Sequence, residues 1–351
     1  MKKWNKAWYL LLICILSVVS LSACNLIKKK EAGGTLSIVC TSFPQYDFVK
    51  QVIGDNPAGI EVTYLLKNGI DIHNYQASAE DMVKIRSSNL FLYIGGESEE
   101  WAKEVVKQVD SSDFHALALL NAVDAKEEEI VEGMEAEHHH EEEEHEGEDH
   151  KEEELDNDHE EEDHEREGHE EEYAYDEHVW LSLKNAEVIV DEIGKELGGI
   201  DPVNSEYYKN NAASYIQELK ELDEQFYNFT KNVKRDTILV ADRFPFRYLV
   251  DDYNLRYYAA FVGCSAETEA SFKTIAFLAK KVEELNLPVV LIIDGSDGSI
   301  AKTVVENSKQ ENVSVKTLNS MQSVSMDDIA SGVSYLSIMS ENLQVLKEAL
   351  E

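Results

Sequence analysis

The chain has 351 residues, 70 Asp and Glu against 32 Lys and Arg, and a formal net charge of −38 at pH 7. A balance this acidic excludes a nucleic-acid partner, because phosphate binding needs clustered basic side chains. More than half of the charge is local: residues 137–172 carry 22 acids against Lys151 and Arg166, a net −20.

In chain order, Lys2, Lys3 and Lys6 precede an apolar run from Tyr9 to Leu21. That is the length of a secretory signal core and short for a membrane span. The run ends in Leu21-Ser22-Ala23-Cys24, which resembles the bacterial lipobox. Residues 1–23 therefore read as a signal peptide, Cys24 as the acylated first residue of the mature chain, and 24–35 as lipid anchor and tether. Lys28 to Lys30 add attraction to anionic headgroups. The expected location is the cell membrane, lipid-anchored on its extracytoplasmic face.

Past the tether, strand-like and helix-like stretches alternate. Leu36–Thr41, Ile60–Leu66, Leu90–Ile94 and Ala116–Leu120 read as strands, and Tyr46–Ile53, Ser78–Arg86 and Ser98–Val109 as helices. Ser78 is an N-cap candidate, with Asp81 three residues on as the capping-box acid. Residues 36–136 form the first part of an N-terminal lobe. The His- and Glu-rich insert 137–172 has almost no apolar residues and cannot offset its ordering entropy, so it is expected to be disordered. Residues 173–201 complete the lobe, with a helix at Leu183–Leu197 ended by Gly198-Gly199. Pro202 opens a long helix reaching about Val233, with Ala213, Ile216, Leu219, Leu222, Phe226 and Phe229 as its apolar face, and 202–234 reads as a rigid linker. The C-terminal lobe, 235–351, repeats the alternation and closes with one helix at Asp327–Leu350. The fold class is α/β: two lobes, each a parallel-type sheet flanked by helices, joined by one long helix.

Eight of the eleven histidines lie in the insert: His138, His139, His140, His145, His150, His159, His164 and His169. Their spacing among acids suits weak capture of a borderline cation. Of the other three, His73 and His178 each lie in a polar loop just before a helix, while His115 reads as structural. Two neutral imidazoles with one or two carboxylates make a four-coordinate zinc site, although manganese accepts mixed nitrogen and oxygen ligands too. Cys40 and Cys264 are distant in sequence; a bond between them is possible, and a free thiol at Cys40 is the plainer reading.

Three stretches carry a family resemblance: His73-Asn74-Tyr75-Gln76 with the helix after it, Asp176-Glu177-His178-Val179-Trp180-Leu181, and the histidine-rich insert upstream of the latter. The chain resembles the zinc and manganese substrate-binding lipoproteins of ABC importers, from Cys24 nearly to its end. The resemblance implies two α/β lobes on one rigid helix, a metal between them, and His73 and His178 as ligands from the N-terminal lobe. It also implies an ABC importer permease as partner, a membrane tie through Cys24, and a monomer with no enzymatic activity.

Glu177 stands where the family has proline. Phe246-Arg247-Tyr248 matches a family tripeptide, which puts Arg243 at the next ligand position, and a later family carboxylate falls at Asn319. Arginine has no lone pair to offer a cation. The expected set is therefore His73, His178, Asp242 and Asp294, with Glu267 and Asn319 in reserve. The cargo this implies is Zn2+, with Mn2+ or Fe2+ as the alternative; a surface adhesin or a secreted zinc hydrolase would be a different class.

Overall fold

Short, mostly buried β-branched and aromatic runs build two sheets. The computed structural model describes residues 36–134, 174–265 and 269–351. The first sheet holds β1 (Ser37–Cys40), β2 (Glu61–Tyr64), β3 (Leu90–Tyr93) and β4 (His115–Ala118) in the order β2-β1-β3-β4, every pair parallel. The second holds β5 (Thr237–Phe244), β6 (Arg256–Val262), β7 (Val289–Ile292) and β8 (Ser314–Thr317) in the order β6-β5-β7-β8, again all parallel. The two lobes share one permutation although no sequence repeat links them. In each, strand order reverses beside the first strand, and such open sheets place ligands outside the carboxyl ends of their strands.

The first sheet is flanked by α1 (Phe43–Ile53), α2 (Ala79–Ser87) and α3 (Glu100–Lys107). The Ser78–Asp81 capping box forms as the sequence indicates. The second lobe adds α6 (Arg247–Asp252), α7 (Phe272–Leu285), α8 (Ser299–Asn307), α9 (Met326–Ala330) and α10 (Tyr335–Leu350), with α4 (Leu183–Ile200) and α5 (Ser205–Thr230) between the sheets in sequence. The expected single closing helix is two, because Gly332 turns at φ +101° and Ser334 caps a new start.

The long helix α5 has 26 residues, about 39 Å at ~1.5 Å per residue. It begins after Pro202, not at it. Its buried face is Tyr208, Ala212, Tyr215, Leu219, Leu222 and Phe226. Ala213 is exposed and Ile216 half-buried, so the first half of the buried face is offset by one residue from the expected stripe. The tyrosines win the interior because each has a partner there: Tyr208 donates to Asp201 at 2.7 Å and Tyr215 to Asp47 at 3.2 Å. At Gly194 of α4 an added methyl would sit 3.1 Å from Ala212, so the glycine lets the two helices approach closely.

The lobes are tied by hydrogen bonds between aromatic side chains and loop carbonyls. Tyr64 donates to the Val324 carbonyl (2.8 Å), Trp180 Nε1 to Ser320 (3.0 Å) and Tyr335 to Trp180 (2.7 Å). Tyr248 accepts from the Lys126 N–H at 3.0 Å and donates to the Asp176 carbonyl at 2.8 Å. On either side of the insert, Glu127 pairs antiparallel with Tyr175, flanked by Asp176 N–H to Lys126 (2.8 Å) and Glu128 N–H to Ala174 (2.9 Å). The eight insert histidines, Cys24 and the signal lie outside the described residues, as does Glu267. Among the described residues no helix is long and apolar enough to cross a membrane.

Candidate metal centre

His73 lies on a short 3-10 turn, Ile72–Asn74, two loops beyond the end of β2. Asp71 caps the turn, its carboxylate accepting from the His73 N–H at 3.0 Å. His178 lies at the foot of a second such turn, Val179–Leu181, whose three side chains are all buried. Asp176 accepts from both the His178 backbone N–H (2.8 Å) and its Nδ1 (3.0 Å). These two loops bring the rings together, with Nε2 of His73 3.2 Å from Nε2 of His178. Two nitrogens on one tetrahedral zinc, each at about 2.0–2.1 Å, stand about 3.3 Å apart. The pair already has the spacing of that tetrahedral edge.

Hydrogen bonds on the far side of each ring set which nitrogen is free. A carboxylate only accepts, so Asp176 fixes the proton of His178 on Nδ1 and leaves Nε2 its lone pair. His73 Nδ1 faces Ser98 Oγ at 2.7 Å, and a hydroxyl can donate or accept. The His73 proton can therefore sit on Nε2, toward His178, or on Nδ1, whereupon two lone pairs converge on one cation. Ser98 is itself held by Glu177, whose carboxylate accepts from the Ser98 N–H at 2.8 Å. Glu177 thus fixes the backbone of the residue whose hydroxyl faces His73.

Burial, with the neighbouring His178, pushes His73 down to about 3. That ring is neutral, as a metal ligand must be. Burial would also lower His178, but Asp176, Glu177 and Glu128 outweigh it and the net direction is upward. The same three acids crowd Cys264, whose thiol is pushed up first by burial and then by Asp176, Glu128 and Glu177.

Cys264 is the residue that the sequence reading missed. Among the described residues, one group of three metal-capable side chains exists: His73, His178 and Cys264, with their ligand atoms all within 4.8 Å of one another. Cys264 follows β6 at the carboxyl edge of the second sheet, and its N–H donates to Glu128 at 2.8 Å. Cys40 and Cys264 are both free thiols, Cys40 fully buried. The available signal was positional: a soft ligand in a loop at that edge, in a chain lacking the expected ligands at Arg243 and Asn319.

Asp242 and Asp294, expected as ligands, do not join this group. Asp242 lies within β5, beside a register shift between Val240 and Arg243, where its carboxylate accepts from the Arg243 N–H (2.9 Å) and from Ser296 Oγ. Asp294 accepts four bonds, from N–H and Oγ of Ser320 (2.5 and 2.6 Å) and of Ser323 (3.0 and 2.5 Å), so its lone pairs serve the loop after β8. Asn319, held in reserve, turns its amide oxygen to the Met321 N–H at 2.8 Å. Arg243 forms an ion pair with Asp71. Asp71, Arg243, Asp242 and Asp294 instead line a cavity of about 520 Å³ between the lobes, and neither histidine does. His115 is paired with Glu196 at 3.0 Å and is not part of the group.

Comparison with known proteins follows the same line. The family described as "Zinc-uptake complex component A periplasmic" matches residues 38–349. The zinc-binding lipoprotein AdcA of Streptococcus pneumoniae is 31% identical over 97% of this chain and 60% of its own length, so the chain spans under two thirds of that relative. The high-affinity zinc uptake system protein ZnuA of Bacillus subtilis is 28% identical over 99% of this chain and 98% of its own. The Zn(II)-bound ZnuA-like domain of the S. pneumoniae AdcA superposes with a TM-score of 0.67 at 25% identity, covering 90% of this chain and 99% of that one.

Proposed function

The chain belongs to the zinc-uptake complex component A family, and from that membership we propose that it captures Zn2+ between its lobes and delivers it to the permease of an ABC importer. The observation that carries this reading is the 3.2 Å approach of two buried or half-buried imidazole Nε2 atoms. Asp176 frees the facing nitrogen of His178, and the Ser98 hydroxyl can accept from Nδ1 of His73 so that its facing nitrogen is freed when a cation binds. His73 and His178 hold the ion. The acids around them, Asp176, Glu177 and Glu128, supply the negative field that draws a divalent cation into a largely buried position.

The insert histidines serve as a weaker reservoir for the same ion. Acylation at Cys24 keeps the protein on the extracytoplasmic face of the membrane, beside its permease. Names of relatives that call them zinc-binding lipoproteins support the anchor.

Zinc titration of the mature chain against a competing chelator tests the reading. One tight equivalent is expected, lost in His73→Ala and in His178→Ala. A variant lacking 137–172 should keep that equivalent and lose only weaker ones. Retention of the tight equivalent in the two alanine variants would refute the site.

A further inference from the structure

We infer that the second lobe's contribution to the zinc site is a thiolate, Cys264, with the amide oxygen of Gln322 at the fourth position. This rests on the reading that His73 and His178 hold the ion, and specifies what completes their coordination.

The first argument is placement. Two ligands from one lobe cannot grip a cation between lobes, and the residues expected from the other are engaged elsewhere: Arg243 with Asp71, Asp242 with Ser296, Asp294 with Ser320 and Ser323. Cys264 Sγ lies within 4.8 Å of a ring nitrogen of His73 and of a ring nitrogen of His178. On a tetrahedral zinc with Zn–S about 2.3 Å, sulfur and nitrogen ligands stand about 3.5 Å apart, a short closing movement away.

The second argument is a proton count. Gln322 is buried, with Nε2 3.0 Å from His178 Nε2 and Oε1 3.0 Å from Ser320 Oγ. Ser320 has one hydroxyl proton, and the charged Asp294 carboxylate at 2.6 Å takes it. The Ser320 oxygen is then an acceptor facing another acceptor. His178 Nε2, meanwhile, has one lone pair and two neighbours, His73 and Gln322. Turning the amide by half a rotation, which exchanges its oxygen and nitrogen at nearly the same positions, relieves both conflicts once a cation is bound. The NH2 group then donates to Ser320 and Oε1 faces the ion. The four ligands come two from each lobe, on loops after β2, before α4, after β6 and after β8.

On binding, the Cys264 S–H bond breaks, its proton leaves to water, and a sulfur–zinc bond forms with no change of oxidation state. A thiolate in the set favours zinc over manganese, which prefers oxygen donors.

Cobalt(II) substitution of the mature protein tests this directly. The parent should show a thiolate-to-cobalt charge-transfer band in the near ultraviolet, absent in Cys264→Ser and present in Cys40→Ser. Zinc should protect Cys264 from alkylation, read by mass spectrometry. Cys264→Ser should lose at least tenfold in zinc affinity and show a narrower zinc-to-manganese preference. Gln322→Ala should keep the band and bind roughly tenfold more weakly, while Gln322→Glu should bind at least as tightly as the parent. Circular dichroism of each metal-free variant checks folding. A cobalt-loaded parent with no charge-transfer band, or a folded Cys264→Ser with parental affinity, overturns the thiolate. Parental affinity in Gln322→Ala overturns the amide. If His73→Ala also binds normally, the underlying reading has failed instead.

Discussion

Replacing Asp176 by Asn removes a charge without touching any ligand atom, and so isolates what the partner of His178 contributes. Asp176 is 2% exposed and holds the ring through Nδ1 at 3.0 Å. Across the ring, the carboxylate lies roughly 6–7 Å from an ion on Nε2. A 2+ and a 1− charge at that separation interact by about 1 to 5 kcal/mol for effective dielectrics between about 80 and 20. Loss of such a partner typically costs 10–100-fold in metal affinity, about 1.4–2.7 kcal/mol, within that bracket. Asp176→Asn should therefore bind zinc 10–100-fold more weakly in chelator competition, with unchanged stoichiometry. Since the amide oxygen can still accept both bonds from His178, Asp176→Ala should lose more. Affinity within threefold of the parent in both variants would mean that the far side of His178 does not tune the site, and the reasoning would fail.

Gly263 packs its backbone against the same ring: an added methyl would meet the Phe244 carbonyl at 2.8 Å and His178 at 3.2 Å. Gly263→Ala should lower stability by about 1–3 kcal/mol and weaken zinc binding several-fold, read as a smaller zinc-induced rise in melting temperature. Trp180→Phe leaves the Ser320 carbonyl without its indole donor and should cost about 1–3 kcal/mol in denaturant unfolding. Burial pushes Asp47 up to about 6 from 3.8, against the bonds from Tyr335 and Tyr215. The folded state thus binds more protons than the unfolded one between those values, so stability falls as pH rises from about 4 to about 6 and then levels. Glu99, pushed up to about 7 by burial, extends the fall. Asp47→Asn should flatten the lower part of the profile and gain up to about 3 kcal/mol above pH 6, checked by denaturant midpoints across pH.

Sequence pattern made the fold legible where local signals agreed. The helix expected at Ser78–Arg86 forms at Ala79–Ser87, because Ser78 caps it and Asp81 closes the capping box. The reading failed where a tertiary partner outweighed hydropathy, as with Tyr208 and Tyr215 displacing Ala213 from the core face of α5. The two histidines were legible because loop, helix start and family pattern coincided. The other half of the site was not. The irregularity in β5 shifts what counting from Phe246 can locate, and Cys264 gains meaning only once the loops of the two lobes are brought together. A lone cysteine in a turn carries no such mark in sequence.

The short antiparallel ladder at Glu127 and Tyr175 separates two scales of change. It ties the chain before the acidic insert to the chain after it, one residue before Asp176. Lengthening a closed loop costs only about 0.6 kcal/mol for each doubling. Histidines can therefore be gained, lost or reshuffled by insertion and deletion, while the register of the ligand loop beyond the clasp, and with it the aim of His178, stays as it is.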